Sequence, residues 1–120
     1  MNYTSEQLKE ILAKHAEWLA DNSKGARADL SGANLSGANL RGANLSYADL
    51  HDANLRGASL INANLRGAYL NNANLSYADL YGADLHSADL HSADLHSADL
   101  SYADLHGANL RYANLSHTSM

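Results

Sequence analysis

From Leu30 to Leu115 a leucine stands at every fifth position without a miss, and an alanine stands two residues before each, from Ala28 to Ala113. Thr118 and Met120 take these two places in the last unit. The unit is Ala-x-Leu-x-x, with Asn or Asp almost always between Ala and Leu. A period of five suits neither regular structure. On an α-helix five residues turn through about 500°, so successive leucines drift by about 140° and make no stripe. On a flat strand an odd spacing sends successive leucines to opposite faces. Within one unit, however, Ala and Leu are two apart and share one face of an extended segment. The arrangement that uses every unit is a short strand, Ala-x-Leu, followed by a two-residue corner, wound around an apolar axis with coils stacked about 4.8 Å apart. The repeat therefore predicts an all-β solenoid, with the Ala and Leu positions as structural core.

Composition narrows the function classes. Thirteen Asp and Glu outweigh eight Lys and Arg, a net charge of −5, which argues against direct nucleic-acid binding. The chain has no Cys, which removes disulfides, thiolate metal sites and a Cys nucleophile. No apolar run reaches the 18 or so residues of a membrane span, and the opening MNYTSEQLKE carries acids early with no apolar stretch, so the expectation is a cytoplasmic protein without membrane contact.

The segments ADLSGANLSGANL at 28–40 and ADLHSADLHSADL at 83–95 resemble pentapeptide-repeat proteins, whose unit is A-[DN]-L-x-x. The resemblance covers residues 28–117. It implies a right-handed quadrilateral β-helix with four units per coil, hence about 4.5 coils over residues 27–120. Residues 1–26 read as a capping helix and linker. Thr4 and Gln7 match a capping box, while Leu8, Ile11, Leu12, His15 and Leu19 recur at helical spacing with Trp18 beside them. Gly25 suits a left-handed C-terminal position. Such a helix covers the first coil's open strand edges and leucines. The C-terminal coil has no equivalent, and an uncovered coil invites a homodimer through that end.

Four units per coil make residues twenty apart neighbours. His86, His91 and His96 then lie on different faces, and only His86 and His106 stack, above Arg66, so no metal site or other cofactor site is expected. Asn34, Asn54 and Asn74 share a face and can form an amide ladder. From 79 to 104 the same position reads Asp79, Asp84, Asp89, Asp94, Asp99 and Asp104, and no Lys or Arg occurs between Leu70 and Leu110. This acidic belt, interleaved with His86, His91, His96 and His106, is the candidate interaction surface, and the histidines can neutralise it as pH falls. Tyr47, Tyr77, Tyr102 and Tyr112 fall at corners, with Tyr69 and Tyr81 assigned to faces.

A convex rod offers no pocket for perturbed acids and bases, and Gly32, Gly37, Gly42, Gly57, Gly67, Gly82 and Gly107 are corner residues rather than a phosphate loop, so no enzyme is expected. The first functional expectation is a non-catalytic structural or protein-interaction scaffold with an unidentified protein partner. The second is implied by the resemblance: some pentapeptide-repeat proteins are acidic rods that mimic duplex DNA and bind DNA gyrase, conferring quinolone resistance. The chain departs from those members in its all-Leu centres without Phe and in lacking a projecting loop.

Overall fold

The computed structural model describes residues 2–120. Its backbone pairs with itself every twenty residues. Parallel bridges join Asp29 to Asp49, Asn34 to Asn54, Asn39 to Ser59 and Asn44 to Asn64, and the same offset continues to Asp99 and Ser119. Four units thus make one turn of a four-sided coil. Side 1 carries Leu30, Leu50, Leu70, Leu90 and Leu110; side 2 begins at Leu35, side 3 at Leu40 and side 4 at Leu45.

Each side pairs through a single bridging residue rather than the three-residue strand that the period suggests. The corners explain why. The residue between Ala and Leu turns both its backbone groups toward the preceding coil, as when Asn54 donates to the Ala33 carbonyl at 2.8 Å and accepts from the Leu35 N–H at 2.7 Å. The chain then bends at once, and the pairing continues through the corner, where the Gly32 N–H donates to the His51 carbonyl at 2.9 Å. The Ala33 N–H closes each bend on the Leu30 carbonyl at 3.1 Å. A turn of this kind requires positive φ at its third residue. Gly32 supplies it at 67°, and Tyr47, Tyr77, Ser87 and Tyr102 adopt it at about the same angle, 60° to 62°.

The preference for Asn and Asp has a local cause. Their Oδ1 accepts from the backbone N–H two residues on, at 3.2 Å for Asn34 and Ser36 and 3.0 Å for Asp84 and His86, so the side chain fixes its own corner. This replaces the expected amide ladder: the Oδ1 atoms of Asn34 and Asn74 bond Ser36 and Ser76 in their own corners, while the backbones do the stacking. Inside, Leu50 to Leu95 are fully buried and flanked by buried alanines. Each buried leucine contributes about 1.5–3 kcal/mol.

Helix α1, Ser5–Ala20, lies against the first coil. Thr4 and Gln7 form the capping box, with the Thr4 Oγ1 accepting at 3.1 Å and the Gln7 Oε1 accepting at 2.8 Å. Leu8, Ile11 and Leu12 pack on the core. His15 is wholly buried, where its Nδ1 accepts from the Ala28 N–H at 2.9 Å and its Nε2–H donates to the Ser46 carbonyl at 2.8 Å. In later coils those backbone groups are served by the repeat itself: the Ala33 N–H bonds Leu30, and the Arg66 carbonyl accepts from Tyr47. His15 therefore stands in for the unit that the first coil lacks. Gly25 has the expected left-handed φ, 62°, but not the expected place, since the helix is capped by Asp21 in an extended conformation. A Cβ at Gly25 would run into the Lys14 carbonyl oxygen and the Glu17 Cβ, so Gly25 serves close packing of the linker on α1.

Candidate interaction surface

The six aspartates encircle the C-terminal coils instead of forming one patch. Asp79 and Asp99 bridge on side 3 and Asp84 and Asp104 on side 4, whereas Asp89 adjoins Tyr69 and Asn109 on side 1, and Asp94 adjoins Asn74 and Asn114 on side 2. Each uses Oδ1 to hold its corner, at 2.9–3.1 Å from the backbone N–H of Tyr81, His86, His91, His96, Ser101 or His106. Hydrogen bonds from Ser101 hold the Asp99 carboxyl below the usual carboxylate range.

The histidines sort by corner as the twenty-residue offset requires. His86 and His106 stack with ring centroids 5.8 Å apart. His96 meets Ser116 at 2.8 Å, through Nδ1 and Oγ, and lies edge-on to Tyr77 and His117. His91 lies edge-on to Tyr112. Among the described residues no group of three or more His, Cys, Asp or Glu is arranged to hold a metal ion. Tyr81 belongs to a corner, not a face, because it directly follows Leu80; there it packs against Tyr102 at 5.2 Å. The tyrosines are partly covered by such contacts yet remain exposed, Tyr102 at 83%.

Two features escape a reading of residue types. Arg27, Asp49, His51, Tyr69 and Asn71 line a shallow cleft of about 360 Å³ along side 1. There the Arg27 Nε–H donates to the Tyr47 carbonyl at 2.7 Å and its guanidinium lies over the Tyr69 ring, while the His51 Nδ1–H donates to Asp49 at 2.6 Å. That bond, aided by the charges of Asp49, Asp52 and Asp29, raises the His51 pKa. The twenty-residue offset, which joins Arg27 to Tyr47, Asp49 to Tyr69 and His51 to Asn71, is the signal that could have found this cluster. The second is His15, whose polar bonds are invisible in a helical stripe. Desolvation, outweighing the bond to Ser46, lowers its pKa.

The last coil differs from those before it. Leu105, Leu110 and Leu115 are only partly buried, Met120 is 71% exposed, and among the described residues the N–H groups of these three leucines have no backbone partner. No helix among the described residues is long and apolar enough to cross a membrane.

A corner-punctuated coil of twenty residues, with the same two core-facing positions in each unit, defines a solenoid of five-residue units. The family model described as Pentapeptide repeats (8 copies) matches residues 26–60, 53–91 and 88–120, and the chain belongs to this family. It is similar to a pentapeptide repeat protein from the Arabidopsis thaliana thylakoid lumen, with 34% identity and a TM-score of 0.73 over 76% of this chain and 63% of that one. It is similar also to Rfr23 from the cyanobacterium Cyanothece 51142, with 25% identity and a TM-score of 0.53 over 90% and 94% of the two chains. The chain thus spans less than two thirds of the Arabidopsis protein but nearly all of Rfr23. No curated protein matches the sequence.

Proposed function

We propose that this chain is a non-catalytic protein-interaction scaffold whose acidic C-terminal coils dock a basic surface on a protein partner. The right-handed coil implied by the family resemblance is part of the same reading. The observation that carries it is the ring of Asp79, Asp84, Asp89, Asp94, Asp99 and Asp104, unrelieved by any Lys or Arg between Leu70 and Leu110. One oxygen of each holds a corner, which leaves the other to face a partner. Asn occupies the same position in the N-terminal coils and makes the same corner bond, so the charge is not needed for folding. The non-catalytic part of the proposal rests on the openness of the surface, whose His51–Asp49 couple sits in a shallow cleft.

The test replaces all six aspartates with asparagine. The variant is expected to fold with unchanged circular dichroism and to lose those partners that the unaltered chain retains at low salt. Retention of the same partners by both proteins removes the belt from the function. The same ring supports one competing reading, mimicry of duplex DNA toward gyrase. Inhibition of gyrase supercoiling by the unaltered chain, relieved in the asparagine variant, would favour it.

A further inference from the structure

The N-terminal end carries a second surface of opposite character. In all later coils the residue between Ala and Leu bonds backward through both backbone groups, as Ser59 does when its N–H donates to the Ala38 carbonyl at 2.9 Å and its carbonyl accepts from Leu40 at 2.8 Å. On side 2 of the first coil this demand is met by the chain itself, because Asn2 forms a parallel bridge with Asn34. On side 3 it is not: among the described residues neither the N–H nor the C=O of Asn39 has a backbone partner. Above this edge lies a groove of about 590 Å³ between the start of α1 and the coil, with Leu8, Leu12, Ala38 and Ala43 among its lining. Ala38 and Ala43 are only partly buried, unlike the alanines below them, Ala58 and Ala63. The volume lies within the range of pockets that take small ligands or a few residues of peptide.

The rim is basic. Lys9 and Arg41 line the groove; Lys9 is held only by an exposed contact of 3.7 Å to Glu6, and the Arg41 guanidinium has no ion-pair partner among the described residues. We infer that this groove binds an extended acidic peptide, which adds to the coil as a parallel strand opposite Asn39. The register follows from the bridges already present. The residue before the one opposite Asn39 offers its carbonyl to the Asn39 N–H, and the residue after it offers its N–H to the Asn39 carbonyl. Those two flanking side chains point inward, so the peptide carries a small and then an aliphatic residue two apart, in the manner of Ala and Leu in the repeat. The residue after the aliphatic one stands over the Arg41 corner, and there an acid is required. The open edge beside Leu110 and Leu115 also carries a cation, Arg111, but among the described residues no helix lies over it to wall a groove, so it does not compete. This surface is independent of the aspartate ring, which lies in the later coils.

The test uses the full chain, labelled with nitrogen-15, titrated with an acetylated, amidated peptide in which Ala-Asn-Leu is flanked by aspartates. The amide signals of Asn39 and Arg41 are expected to shift, and exchange of the Asn39 amide with solvent to slow. Arg41→Glu is expected to weaken binding about fivefold or more, as is replacing the peptide's aspartates with lysine. Arg41 is exposed and its corner bond uses only its backbone N–H, so the variant keeps the fold, which its own spectrum verifies. Equal binding of the acidic and lysine peptides, shifts confined to Leu110 and Leu115, or no shift at millimolar peptide would each overturn the inference.

Discussion

Replacing His15 with leucine removes the two hydrogen bonds that join α1 to the start of the solenoid. The Ala28 N–H and the Ser46 carbonyl then lose their partner beneath the helix, where both bonds are buried. Each orphaned buried group costs about 1–3 kcal/mol, so docking of α1 should weaken by about 2–6 kcal/mol. Protonation of His15 does part of the same damage, since the Nδ1 that accepts from Ala28 would itself carry hydrogen. Arg27, the charge that desolvated His15 feels, opposes that proton further. Because burial lowers the pKa in the folded state, the unfolded chain takes up the proton first as the solution is acidified. The contribution of His15 is therefore complete above about pH 6.5 and declines as pH falls from there toward the lowered folded value, by at most about 1.4 kcal/mol per pH unit. Trp18, the only tryptophan, stacks on the imidazole at 5.7 Å and reports docking directly. In His15→Leu its emission should be shifted to the red already at pH 7.5, and the acid-induced shift of the unaltered protein should vanish. Since the six other histidines remain in both proteins, the difference between the two pH curves isolates His15. Identical melting temperatures for the two proteins at pH 7.5, with Trp18 emission in the unaltered chain constant down to pH 4.5, would refute the reasoning.

Three further outcomes are expected. Leu85→Ala, in a fully buried position, should cost about 2–5 kcal/mol in denaturant unfolding, and Leu115→Ala in the half-open last coil less than half as much. Gly25→Ala should lower the melting temperature, because its Cβ meets the Lys14 backbone and its φ of 62° strains any other residue. For His51, whose pKa is raised chiefly by the bond to Asp49, the stabilisation is present below about pH 6.5 and is lost as pH rises through the folded value; an NMR titration of Asp49→Asn should return His51 toward its ordinary range.

The coil is readable in the sequence because its constraint is absolute and local. Ala and Leu at a spacing of two, repeated every five, leave one way to keep both inside, and the bridge from Asp29 to Asp49 sets the four-unit turn. The capping box of α1 is equally local, a matter of Thr4 and Gln7 three residues apart. The corner role of Asn and Asp is missed when side chains are imagined pairing between coils, since a bond to the residue two ahead is nearer than any ladder. His15 is missed for another reason: its partners, Ala28 and Ser46, lie 13 and 31 residues away and are backbone groups, which carry no sequence signal.

Three of every five positions are thus spoken for by the fold: alanine for lack of room, leucine for the core, Asn or Asp for the corner bond. What distinguishes this solenoid from another of the same construction resides in the two corner positions and in the charge chosen at the third. Those residues act in columns twenty apart, so their neighbours are vertical. Arg56 lies over the Tyr77 ring at 4.5 Å and reaches Ser76 at 3.1 Å, and Tyr77 in turn meets His96. Tyr77 belongs to the adjoining column, so this corner changes character along the rod from arginine through tyrosine to histidine, while aspartate fills the position before leucine in every unit from Asp79 to Asp104. The two proposed surfaces, the basic-rimmed groove beside Arg41 and the aspartates of the later coils, differ in chemistry while the core beneath them is uniform. Exchanging a whole twenty-residue coil from one of these surfaces with one from the other would move the surfaces while leaving the core contacts of Ala and Leu intact.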